Sequence, residues 1–126
     1  MVRSAITVNE LAGAFADAET PDAIDKSNGH VIAEGANFKR MVLAFHISAG
    51  TGTGGAITIK AGTTEPAFRR DLGDLVRADN IVANDEILLG PIETARYLQS
   101  DGTLHIDITD TTNTDLAGTI EAYALP

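Results

Sequence analysis

The chain has 126 residues, with 18 acidic and 9 basic side chains and a formal net charge of −9. Its length suits one domain with one core, and its 44% hydrophobic content excludes a disordered tail. The charge disfavours binding to a phosphate backbone, and the absence of cysteine excludes disulfides, thiolate metal sites and a cysteine nucleophile.

Met1 to Val8 carries no apolar block of the kind found in a signal peptide, and no stretch approaches the roughly 20 apolar residues of a membrane span. The expectation is therefore a protein made and kept in the cytoplasm, or assembled there into something larger. A short strand is expected at Ile6-Thr7-Val8. Asn9 to Ala18 is rich in helix-forming Ala, Leu and Glu but is interrupted by Gly13. Residues 1–25 read as an N-terminal arm or first-strand region, and 26–126 as a single β domain.

Ser27-Asn28-Gly29 is a turn signal, followed by a weak strand at His30-Val31-Ile32. Met41 to Ser48 alternates cleanly and places Met41, Leu43, Phe45 and Ile47 on the core face. Ala56 to Lys60 repeats the pattern with Ile57 and Ile59 inward. The intervening Gly50-Thr51-Gly52-Thr53-Gly54-Gly55 superficially suggests a phosphate loop. Such a loop opens a helix, whereas this one precedes a strand, so a long hairpin loop is expected.

Pro66 to Leu72 is compatible with one helical turn. Weak strands follow at Leu75-Val76-Arg77 and Glu86-Ile87-Leu88-Leu89. Pro91 to Tyr97 reads as a further turn, or as a bend that carries Ile92 and Ala95 under the sheet. After the Ser100-Asp101-Gly102 turn, Leu104 to Thr109 alternates again, with Leu104, Ile106 and Ile108 inward. Thr119 to Leu125 forms a last strand whose small Ala residues blur its buried face. Short alternating strands with turn signals about ten residues apart predict an all-β fold: an antiparallel β-sandwich or jelly-roll-like barrel with long loops and little helix. Aromatic residues make up 5% and tryptophan is absent, so the core must be aliphatic, and association with further copies or a partner would add to its stability.

Residues capable of chemistry are scattered. His30, His46 and His105 fall on separate strands without metal-ligand spacing. Asp107, Asp110, Asn113 and Asp115 make an oxygen-rich stretch, but the twelve-residue calcium pattern and its closing Glu are missing. Asp22 with Asp25, and Asp71 with Asp74, read as turn caps rather than as a coupled acid–base pair. Lys39-Arg40 and Arg69-Arg70 are isolated basic pairs, suited to solvent or to an acidic partner surface. No convergent catalytic set is visible, and the expectation is a structural protein without enzymatic activity, cofactor or metal.

One resemblance runs through the last two thirds of the chain. It is carried by Asn28 to Ile32, Met41 to Ser48, the segment Ala56 to Gly62 (AITIKAG), Pro66-Ala67-Phe68-Arg69, and Leu72-Gly73-Asp74-Leu75. It continues through Leu89 to Gly102 and the closing strand that ends at Leu125-Pro126. In this layout the chain resembles the small virion proteins encoded in the head-gene region of tailed bacteriophages, which decorate or cement the capsid shell. The resemblance implies a homo-oligomer, usually a trimer, bound to the major capsid protein on the outer surface of the virion and reinforcing the head. The acidic charge and the lack of a long apolar stretch add the expectation of no nucleic-acid or membrane partner. Interface energetics favour aromatic and arginine anchors, which singles out Phe68, Arg69, Arg70, Arg96 and Tyr97. Two other readings stand beside it: a tail-tube or head-completion component of the virion, and a β-sandwich that binds glycans or cell surfaces. The absence of Trp and the presence of only two Tyr, Tyr97 and Tyr123, weigh against the last.

Overall fold

The computed structural model describes residues 2–11, 21–50, 55–62, 73–78, 81–110 and 116–125, with Asp110 described by its backbone alone. Of the helix-friendly stretch Asn9 to Ala18, Asn9 and Glu10 belong to the strand Val8–Glu10 and residues 12–18 lie outside the described residues, as does the helical turn expected at Pro66 to Leu72.

Among the described residues ten strands follow one another: β1 (Ser4–Ala5), β2 (Val8–Glu10), β3 (Asp22–Ala23), β4 (His30–Ile32), β5 (Arg40–Ala49), β6 (Gly55–Ile59), β7 (Leu75–Ala78), β8 (Glu86–Glu93), β9 (Leu104–Asp110) and β10 (Ala117–Ala124). Short 3-10 turns occupy Gly35–Asn37 and Thr94–Arg96. The strands form two five-stranded sheets. One has the order β1-β4-β9-β6-β7; the other runs β2-β10-β5-β8, with β3 also pairing with β10. This is the all-β, sandwich-like architecture that the alternation predicts.

The alternating segments become the facing walls of the core for a simple reason. Successive side chains of a strand point to opposite faces, so one apolar set buries while the other stays wet. Met41, Leu43, Phe45 and Ile47 of β5 are buried, as are Ile57 and Ile59 of β6, and Leu104, Ile106 and Ile108 of β9. On β10 the buried set is Ile120, Ala122 and Ala124. Its face is ambiguous in sequence because Ala is small, but pairing with β5 sets it: Ile120 opposes Phe45 and Ala122 opposes Leu43.

Two expectations are corrected. The sheets are mixed rather than purely antiparallel, because β1 pairs parallel with β4 and β2 pairs parallel with β10. Both exceptions come from the first ten residues. There the chain passes directly from the edge of one sheet to the edge of the other, burying Ile6 and giving the Ile6 N–H to the Val31 carbonyl at 2.9 Å. Residues 1–25 thus contribute strands to both sheets.

Nor do Gly50 to Gly55 close a hairpin. β5 belongs to the second sheet and β6 to the first, so the connection crosses the sandwich. Alternation reports which face is buried but not which strand lies alongside, so it cannot separate a hairpin from a crossover. Gly50 marks the crossing, since a Cβ there would lie 2.7 Å from the Ile81 carbonyl oxygen.

The segment from Pro91 to Tyr97 is strand as far as Glu93 and a 3-10 turn thereafter. Ile92 is buried as expected, but Ala95 is exposed and Thr94 takes the inward position. Thr94 donates its hydroxyl proton to the Phe38 carbonyl and its N–H to the Lys39 carbonyl at 3.0 Å. Between Leu89 and Ile92, β8 advances three residues while β5 advances two, from Leu43 to Met41. The extra residue is a β-bulge at the cis Gly90-Pro91 step, where Gly90 takes φ +122°.

Candidate interaction surface

The two sheets end unequally. At one end lie β1 and β2, which have two and three residues. At the other lie β7 and β8, and neither has a second strand neighbour among the described residues. An apolar groove of about 290 Å³ opens between these two edges, lined by Phe45, Ile57, Ile59, Leu75, Ile87 and Leu89, with Val76, Arg77 and Leu88 at its rim.

Register explains the lining. Leu75 opposes Ile59 on β6, and Ile87 and Leu89 oppose Phe45 and Leu43 on β5, so all three face inward. Leu88 opposes Ala44 and Val76 opposes Thr58, so both turn outward. Leu88 is 76% exposed and Val76 53%. Large apolar side chains on an open sheet edge, beside a concave apolar groove, are the features of an interaction site.

A second depression gathers basic residues. Phe38, Lys39, Arg40, Glu93, Ala95 and Leu98 line it. Arg96 flanks it and donates from Nε to the Glu93 carboxylate at 2.8 Å. Three of the nine basic side chains of an acidic protein therefore lie at one end of the β5–β8 pair.

The residues expected as anchors divide. Phe68, Arg69 and Arg70 lie outside the described residues. Arg96 is part-exposed and available to a partner, already engaged with Glu93. Tyr97 is 5% exposed and belongs to the core, so the chain cannot offer it as a surface anchor without unpacking. An aromatic next to an arginine on a turn has no periodicity to show which of the two points inward; the 3-10 turn decides it.

The Val76–Leu88 edge was not singled out by sequence. Its signal was present in the adjacent pair Leu88-Leu89, because a half-buried strand must turn one of two successive leucines to solvent.

The polar candidates are accounted for locally. Asp107 forms an ion pair with Arg3, whose guanidinium also donates to the His30 and Ile106 carbonyls. Asn113 and Asp115, and the side chain of Asp110, lie outside the described residues. Asp25 is a turn cap: it accepts from the Ser4 hydroxyl and from the backbone of Asn28 and Ser27, which holds its pKa down at about 2. Asp22 accepts from the Thr7 N–H, and Asp71 is outside the described residues. Asp74 accepts from Lys60 and from the Ala61 N–H, the two hydrogen bonds that lower its pKa.

The three histidines do not converge. His30 is buried on the inner face of β4; His105, on the neighbouring β9, opposes Val31 and so faces away. His46 lies in the other sheet, with Nδ1 3.5 Å from the Glu86 carboxylate. Among the described residues, no three His, Asp or Glu side chains are grouped to hold a metal ion, and no helix is long and apolar enough to cross a membrane.

No family model matches the chain, and neither a curated protein nor a solved structure does.

Proposed function

We propose that this protein is a capsid decoration or cement protein, which binds the outer shell of a phage head as a homo-oligomer and stabilises it by adding buried contacts across seams between major capsid subunits. The observation that carries the reading is the β7–β8 edge, where an apolar groove and the exposed Val76 and Leu88 meet two strands that have no second strand neighbour among the described residues. A surface of that kind suits attachment to another protein, by side-chain burial in the groove or by strand addition. The resemblance of the sequence layout to that of phage shell-binding proteins is what directs the reading to a capsid shell as the partner. An aliphatic core without tryptophan fits a domain that gains stability on assembly, since whatever binds the folded state alone raises its stability. The net charge of −9 fits a position away from packaged DNA.

Attachment of this type requires on the order of 1,000 Å² or more of buried surface per site. Sedimentation of the purified protein, alone and mixed with shells that lack it, tests the reading. A closed oligomer of a few copies that binds shells and saturates at a fixed ratio supports it. A protein that polymerises into stacked rings or tubes, or that ignores shells at tens of micromolar, overturns it and favours the tail or connector role.

A further inference from the structure

The N-terminal strand is fastened by a polar cluster built around one buried histidine. His30 is fully buried, and its Nε2 accepts the Asp25 backbone N–H at 2.8 Å. A ring nitrogen that accepts carries no proton, so the neutral ring must hold its proton on Nδ1. Nδ1 is itself buried and makes no hydrogen bond of ordinary geometry.

The same turn anchors β1. Ser4 donates its hydroxyl proton to the Asp25 carboxylate and its N–H to the Gly29 carbonyl at 3.0 Å, and Ile6 donates its N–H to the Val31 carbonyl at 2.9 Å. Arg3 clamps the strand from the other side through Asp107 and the His30 and Ile106 carbonyls.

A second proton on His30 has only one place to go, Nε2, and there it would face the Asp25 N–H donor to donor. The ring cannot accept it without breaking the contact that holds the 25–30 turn, and that turn carries the anchoring points of Ser4. We propose that His30 makes the β1–β4 junction an acid-labile clasp: protonation is coupled to release of the N-terminal strand from the first sheet, while the remaining strands stay folded.

The surrounding charges fix the direction. Burial pushes the His30 pKa down. The Ser4 backbone and the Asp25 and Asp22 carboxylates pull it up, and Arg3 adds to the lowering. Asp107 on β9 is paired with Arg3, and His105 on the outer face of β9 is also lowered, chiefly by burial. For a histidine held below its ordinary value of 6.5, the closed form is fully stable above that value. It loses stability as pH falls below it, because the released form binds the proton and the closed form does not.

Native-state amide exchange at pH 8 to 5, corrected for intrinsic rates, tests this in the intact protein. Protection of the Ser4 and Ile6 amides should fall by about tenfold per pH unit below 6.5, while Leu43 and Phe45 on β5 hold theirs. The trend should persist in His105→Gln and disappear in His30→Gln. A trend that survives in His30→Gln, or is abolished in His105→Gln, overturns the proposal. Should His30→Gln fail to fold, the imidazole nitrogen spectrum of the wild-type protein decides. The Nδ1–H tautomer at pH 8, with loss of Ser4 and Ile6 protection tracking the His30 titration, supports the clasp. An ordinary titration near 6.5 with both amides still protected refutes it.

Discussion

Replacing Leu88 by Lys separates folding from attachment. Leu88 is 76% exposed and faces away from the core, so the folded chain gains little from its side chain. Surface changes of that kind alter stability by no more than about 0.5 kcal/mol. Full burial of a leucine side chain stabilises by about 1.5–3 kcal/mol. A partner that covers the exposed three quarters therefore gains on the order of 1–2 kcal/mol from this residue, and a lysine in its place adds the cost of burying an ammonium group. At about 1.4 kcal/mol per tenfold change in affinity, Leu88→Lys should weaken binding to shells by about 5- to 30-fold or more, with the denaturation midpoint nearly unchanged. Shell occupancy measured over a protein concentration series, beside a urea melt of each variant, reads both quantities. Unchanged occupancy removes the β7–β8 edge from the attachment site. A stability loss above about 2 kcal/mol would instead show that Leu88 packs inside the fold.

Three further outcomes follow from the geometry. Gly118→Ala places a Cβ 2.1 Å from the His46 carbonyl oxygen, at the irregular step in the β5–β10 pairing, so β5 and β10 must separate locally; a loss of about 2 kcal/mol or more in denaturant melts is expected, and a neutral result would show that the close approach is relaxed in solution. Asp25 is held at about pH 2, so the stability it confers is complete above its ordinary value of 3.8 and is lost as pH falls from there towards 2; urea midpoints should therefore drop less steeply over pH 4 to 2 in Asp25→Asn, with the lowered Asp74 and Asp101 leaving a residual slope. Tyr97→Ala should cost about 3–5 kcal/mol by emptying a core site, whereas Arg96→Ala, which breaks an exposed i,i+3 pair with Glu93, should cost no more than about 0.5 kcal/mol; equal effects would contradict the inward assignment of Tyr97.

The inward set of β5, β6 and β9 was legible because each of those strands has one apolar and one polar face, and burial follows directly from a period of two. Sheet membership was not legible. Gly50 to Gly55 looks like a hairpin because β5 and β6 are both regular, yet their buried faces look at each other from opposite sheets. The parallel pairings of β1 and β2 were hidden for a related reason: strands of two and three residues are too short for periodicity, and their placement rests on long-range hydrogen bonds such as Ile6 to Val31. His30 was visible only as one of three histidines. Its burial becomes readable once Ile32 is known to share its face of β4, since residues two apart in a strand point the same way.

The two ends of the sandwich resolve the edge problem differently, and the difference limits what can dock. An unprotected strand edge invites uncontrolled pairing, and proteins restrain it with short strands, charges, proline and bulges. At the N-terminal end, β1 and β2 are too short to template a long partner strand. β8 has eight residues and is the exposed liability, but its second half is spoiled by the bulge at Gly90 and by Pro91, which has no N–H to offer. Its ends carry Glu86 and Glu93, which repel a second copy of the same strand laid antiparallel, because each glutamate would lie near the other's counterpart. What remains competent is Glu86 to Leu89, a stretch of about four residues at the mouth of the apolar groove. Strand addition over so short a length supplies few backbone hydrogen bonds. Affinity must then come mainly from apolar contact, in the groove and over the exposed Val76 and Leu88 beside it, and because Leu88 is the most exposed of these, it, rather than any charged residue of the edge, is the position whose replacement should be felt first.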